Sequence, residues 1–132
     1  MSDDWATPGW LLDLLFDGKE YFDACPINPD GLRVSCGLGR WPTDVPVFCN
    51  PPYSDPGPWV RKARDHPGPV VLLVKCDPST QWWQDSAYAF RVVLLGCRLK
   101  FGDGTKAAPF PSAVWRKDGP PRAARDPSGS PP

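Results

Sequence analysis

The run Val70-Val71-Leu72-Leu73-Val74 has no polar face. A strand that is wet on one side alternates apolar and polar side chains, so a strand without alternation must be covered on both sides. Residues 69–75 therefore read as a strand inside a sheet with a layer above and a layer below. Val45-Pro46-Val47-Phe48-Cys49 reads as a second strand, residues 20–24 and 90–95 as two more, and residues 112–116 as a last one. Helices fall between them. Thr7-Pro8 opens the first: a hydroxyl can cap free N–H groups, and proline suits the first helical position. Trp10, Leu11, Leu14 and Leu15 give that helix an apolar face, and Gly18 is a natural stop. Residues 58–64 and a stretch from Ser79 or Thr80 through Tyr88 read as further helices, and residues 96–105 as a turn or hairpin. Strands alternating with helices predict an α/β fold around a largely parallel sheet. Ligands in such sheets bind outside the carboxyl ends of the strands. Asp23 and Asn50 both fall at such ends, which puts them near one crevice.

Composition narrows the class. A chain of 132 residues, 41% hydrophobic and 23% charged, has room for one soluble domain with a modest core. Its longest apolar run is far too short to span a bilayer, and no charged-then-apolar leader opens it, so a cytoplasmic location is expected. From Lys117 onward Pro, Gly, Ser, Arg and Asp dominate; residues 1–116 are read as the domain and 117–132 as a disordered tail. Lys plus Arg and Asp plus Glu both number 15, which counts mildly against nucleic acid, though a local basic face can exist within a neutral total. The five cysteines, Cys25, Cys36, Cys49, Cys76 and Cys97, form no CxxC or Cys/His cluster, which argues against a metal site and a disulfide framework. Cys49 and Cys76 read as small core residues.

The segment that carries chemistry is Asn50-Pro51-Pro52-Tyr53, directly after a strand. The exocyclic amino nitrogen of adenine is a poor nucleophile because its lone pair is delocalised into the ring. Two acceptors, the Asn50 side-chain oxygen and the Pro51 carbonyl, can take hydrogen bonds from both N–H groups. They draw the nitrogen toward tetrahedral geometry and stabilise the positive charge that builds as a methyl group arrives. Proline has no N–H and stiffens the loop, which fixes the direction of that carbonyl. Tyr53 offers a flat face for an extruded base. The bland alternative is a turn after a strand, since Asn and Pro are both turn residues.

These residues, taken in order, resemble the small phage-type DNA N6-adenine methyltransferases. Trp5-Ala6-Thr7-Pro8 is similar to that family's W-x-T-P start, and Phe22-Asp23-Ala24-Cys25 to its first strand. Val47-Phe48-Cys49-Asn50-Pro51-Pro52-Tyr53 resembles its catalytic segment, and Trp59-Val60-Arg61-Lys62-Ala63 the helix after it. Arg98-Leu99-Lys100-Phe101-Gly102 and Ala108-Pro109-Phe110-Pro111-Ser112-Ala113 resemble its C-terminal hairpin. The resemblance implies a Rossmann-like, S-adenosylmethionine-dependent fold whose mostly parallel sheet ends in an antiparallel hairpin. It implies methyl transfer from S-adenosylmethionine to N6 of adenine in double-stranded DNA. Asn50, Pro51, Pro52 and Tyr53 would form the catalytic loop. Trp5, Thr7, Pro8, Asp23, Cys25 and Asn50 would bind the cofactor, with Thr7 and Pro8 near its methionine carboxylate. Phe110 and Pro111 would line the base or DNA side.

The glycine-rich loop of larger methyltransferases is absent, and Cys25-Pro26-Ile27-Asn28-Pro29-Asp30-Gly31 stands in its place. Asp30 and Asp44 are two open candidates for holding the cofactor ribose. Arg61, Lys62 and Arg64, together with Arg98 and Lys100, are candidates for DNA phosphates or for solvated faces. Of Trp82 and Trp83, one is expected in the core and the other there or at the pocket edge. His66 is expected in a surface turn. With no room for a separate target-recognition domain, a degenerate site or a homodimer is expected. Other readings are N4-cytosine methylation, an RNA or protein substrate, or a non-catalytic module of the same fold.

Overall fold

The computed structural model describes residues 6–25, 38–96, 98–100 and 107–119. Its elements run α1 (Gly9–Phe16), β1 (Phe22–Asp23), β2 (Val47–Cys49), α2 (Gly57–Asp65), β3 (Val70–Lys75), α3 (Gln81–Gln84), a 3-10 turn (Ala87–Ala89), β4 (Arg91–Leu94) and β5 (Ser112–Lys117). The five strands make one sheet in the order β1-β2-β3-β5-β4. β1, β2 and β3 are parallel, with Cys49 beside Leu72, while β5 runs antiparallel to both β3 and β4. The chain is thus mixed α/β, with a sheet that is parallel in its first three strands.

The expected double covering of residues 69–75 is present, and it sorts the core into two layers. On one face Val47, Cys49, Val70, Leu72, Val74, Ala113 and Trp115 meet α2 and α3 through Val60, Ala63 and Trp82. On the other, Phe48, Val71, Leu73 and Val114 meet α1 through Leu11 and Phe16, and meet Leu99, Ala108 and Phe110 from the segment between β4 and β5. Alternation along β3 is therefore intact, but both of its faces are dry.

Several expectations change. In α1 the buried edge is Leu11 and Phe16, with Leu12 and Leu15 packed beside them, while Trp10 and Leu14 are 55% and 74% exposed. Thr7 does not cap that helix; Pro8 occupies the cap position, and Asp17 and Gly18, both at positive φ, end it. The helix expected through Tyr88 stops at Gln84 and resumes only as the 3-10 turn. At the break Asp85 accepts from the Ser86 hydroxyl and from Arg61 Nε at 3.2 Å, and its backbone oxygen accepts from Arg64 Nη1. These partners, Ser86 foremost, hold the Asp85 carboxyl below the usual carboxylate range. Trp82 and Trp83 both pack around Trp115, so neither edges the pocket described below.

The stretch expected as tail begins inside a strand. Lys117 closes β5, is buried, and donates its ammonium to the carbonyls of Arg64 and His66 at the C-terminal end of α2. Burial pushes its pKa down to about 8. The cation sits where the carbonyls that end a helix lack intrahelical partners, so it closes that end of α2. His66 is likewise buried rather than on the surface: its Nε2 lies 2.9 Å from the Pro42 carbonyl and its ring meets Trp41 edge-on. The rest of the expected tail, residues 120–132, lies outside the described residues, as do Trp5, Asp30, Cys36 and Cys97. Among the described residues no helix is long and apolar enough to cross a membrane.

Candidate active site

Asp23 ends β1 and Asn50 directly follows β2, so the parallel pairing of the two strands brings both to the same end of the sheet. A pocket of about 180 Å³ opens there, lined by Ala6, Thr7, Leu12, Asp23, Cys25, Phe48 and Asn50. Four residues proposed from sequence for cofactor binding, Thr7, Asp23, Cys25 and Asn50, are thereby gathered at one place from separated parts of the chain. Pro8 is buried at the start of α1 beside them. Asp23 Oδ1 accepts the Cys25 backbone N–H at 3.0 Å, which turns the chain sharply at the strand end and fixes the carboxylate at the pocket. Asp44 is exposed in the loop before β2 and does not line it.

Asn50 is only 3% exposed, and its Nδ2 donates to Thr7 Oγ1 at 3.0 Å across 43 residues of sequence. That bond sets the orientation of the amide. With Nδ2 held by Thr7, the acceptor oxygen is directed elsewhere, as an amide must be if it is to accept from an amino group. Sequence reasoning assigned Thr7 to the cofactor and missed this role; no local pattern could reveal it. Thr7→Val is expected to lower kcat about tenfold, the effect of losing roughly 1.4 kcal/mol of orientation, while Thr7→Ser keeps most activity. Steady-state kinetics check this, and a Val variant as fast as the parent would show that Thr7 does not orient Asn50.

Past Asn50, Pro51 is fully buried and Pro52 half-buried, so the turn is anchored. Tyr53 follows, half-buried, with its ring centroid 4.6 Å from that of Phe110 at a 53° tilt. Phe110 reaches this place because β5 pairs with β3 just beyond it and Cys76 N–H donates to the Pro111 carbonyl at 2.9 Å. The two aromatic residues proposed for the base side thus stand together beside the Asn50 turn.

The proposed basic contacts divide between the two faces. Arg61 pairs with Asp85, and the Lys62 ammonium lies 5.0 Å from the Trp41 ring centroid, both on the α2 face of the sheet. Tyr53 and Phe110 belong to the opposite face. The structure does not bring Arg61 and Lys62 to the aromatic pair. Arg98 and Lys100 are exposed on either side of buried Leu99, which packs with Phe110 in the second core layer. Lys100 bridges Ala107 in antiparallel fashion. Among the described residues no group of three or more His, Cys, Asp or Glu could hold a metal ion.

A family model described as DNA N-6-adenine-methyltransferase (Dam) matches residues 33–113, more than half of the chain and inclusive of Asn50, Tyr53 and Phe110. A DNA N-6-adenine-methyltransferase of Haemophilus phage HP1 (strain HP1c1) is 31% identical over 100 residues, covering 62% of this chain and 55% of the relative. The chain spans about half the length of that curated relative. A strand-end Asn-Pro-Pro-Tyr turn, a polar pocket beside it and an ordered match through the last strand's approach together place the chain in the DNA N-6-adenine-methyltransferase (Dam) family.

Proposed function

We propose that the protein transfers a methyl group from S-adenosylmethionine to N6 of adenine in double-stranded DNA. The observation that carries this reading is the juxtaposition of buried, oriented Asn50 with the Thr7–Asp23–Cys25 pocket on one side and the Tyr53–Phe110 pair on the other. Family membership and the name of the phage relative support it.

The donor set suits S-adenosylmethionine. Asp23 would receive its ammonium, the Thr7 hydroxyl its carboxylate, and Leu12 and Phe48 supply apolar walls. Bound there, the cofactor supplies an electrophilic methyl group on a sulfonium. The protein does the rest. Asn50 Oδ1 and the Pro51 carbonyl accept from the target amino group, free its lone pair and stabilise the developing cation. Tyr53 and Phe110 hold the extruded base by stacking. Asn50 moves no proton; it positions and polarises.

A Rossmann-like methyltransferase sheet ending in the antiparallel β4–β5 pair fits the strand order. A minimal domain that runs through Lys117 at the end of β5, a phage gene acting in the host cytoplasm, and a homodimer covering more DNA belong to the same reading. Arg98 and Lys100, on the aromatic pair's face, would serve the DNA side better than Arg61 and Lys62. Tritiated methyl transfer to unmethylated duplex DNA, followed by nucleoside mass spectrometry, tests the proposal. N6-methyl-2′-deoxyadenosine is expected. N4-methylcytosine would change the base, and no labelled nucleoside would refute the DNA reading.

A further inference from the structure

Lys75 is the last residue of β3, at the same end of the sheet as Asn50. Strand alternation puts it on the face of Val71 and Leu73, the face that carries Tyr53 and Phe110. Its ammonium lies 5.7 Å from the Phe110 ring centroid, and Phe110 in turn leans on Tyr53. Its cross-strand partner is Ser112, which holds the Phe110–Pro111 segment against it.

Among the described residues no carboxylate lies within ion-pair distance of Lys75. Asp77, two residues further on, accepts from the Ser79 hydroxyl at 3.0 Å. Cations elsewhere in the fold differ: Arg61 and Arg64 share Asp85, and Lys117 is buried on helix-end carbonyls. Lys75 is not among the residues that line the pocket of Thr7, Asp23, Cys25 and Asn50. A nucleotide whose base rests on Tyr53 and Phe110 carries its phosphates one sugar away from that stack.

We infer that Lys75 binds a backbone phosphate flanking the extruded adenosine and so holds the base in place; this rests on the reading of the site given above. The contact is electrostatic and independent of sequence, and the cation–π position keeps the flexible side chain over the aromatic pair before DNA arrives.

The test uses the full chain on duplexes carrying its mapped recognition sequence, with either a normal backbone or a single uncharged methylphosphonate on one side of the target adenosine. Lys75→Gln is expected to raise KM for DNA about tenfold, with a smaller effect on kcat, and to weaken binding alike for all sequences. It should flatten the log–log salt dependence of DNA binding by about 0.9. Lys75→Arg should restore most of the loss, which a folding defect would not allow. A methylphosphonate at one flanking position should slow the parent protein and leave Lys75→Gln unchanged. An active parent that shares every methylphosphonate response with Lys75→Gln would overturn the inference alone. A parent that labels no DNA nucleoside would overturn the reading of the site and this inference with it.

Discussion

Replacing Asn50 with alanine is expected to lower kcat for DNA methylation roughly 10²–10³-fold, the range seen when one preorganised polar contact to developing charge is removed. The residue is nearly fully buried and its amide is held by Thr7, so its polar contact is preorganised rather than formed during the reaction. Its loss leaves the Thr7 hydroxyl without that donor and costs about 1 kcal/mol of stability, too little to unfold a domain of ordinary stability. Asn50→Asp separates the components of the effect. A carboxylate still accepts from an amino group, so this variant should exceed Asn50→Ala by at least about tenfold if accepting a hydrogen bond is what Asn50 does. Single-turnover kinetics with labelled cofactor, beside circular dichroism of each variant, decide the matter. If the alanine variant matches the parent, the turn has no catalytic role.

The place of the Asn50 turn was legible because its information is local. Four consecutive residues following an apolar strand put the proposed catalytic loop at a strand end, and β2 does end at Cys49. The two-sided burial of β3 was legible for a related reason: a run without polar residues admits few environments. What escaped is the matching of polar groups across the fold. Periodicity says that Thr7 opens a helix; it cannot say that Thr7 accepts from Asn50 43 residues away. It marks Arg61 as a cation after the turn but cannot foresee that Asp85 takes its charge from across the helix pair. His66 in Asp-His-Pro-Gly looks like a surface turn, yet the end of β5 brings Lys117 under it and buries both. In sequence Lys75 reads as the polar end of an apolar run, and only the return of the chain through Phe110 gives it a context. In each case the deciding contact lies on a different element, and its partner is set by topology rather than by spacing.

Trp115 supports a second large expectation, on stability. It is wholly buried in β5, paired with Leu72 on one side and Val92 on the other, so it stands at the centre of the sheet's α2 face. Trp83 meets it edge-on at 4.8 Å, with Phe90 at 5.3 Å and Trp82 at 5.7 Å. Trp115→Ala removes the common partner of three aromatic rings and leaves a cavity that a paired central strand cannot collapse to fill. The expected cost is about 3–5 kcal/mol, a large share of the ~5–15 kcal/mol that holds a typical domain together. Trp115→Phe should cost far less than volume alone suggests. The indole Nε1–H of Trp115 is buried with no acceptor among the described residues, and phenylalanine removes that unsatisfied donor while keeping most of the packing. Urea denaturation gives both numbers, and an unchanged m-value would confirm that the native state rather than the unfolded ensemble is affected. If Trp115→Phe proved as costly as Trp115→Ala, shape complementarity alone would govern this layer. If Trp115→Ala cost less than about 1 kcal/mol, the three neighbouring rings would have to repack into the space, and the aromatic cluster would not be a rigid layer.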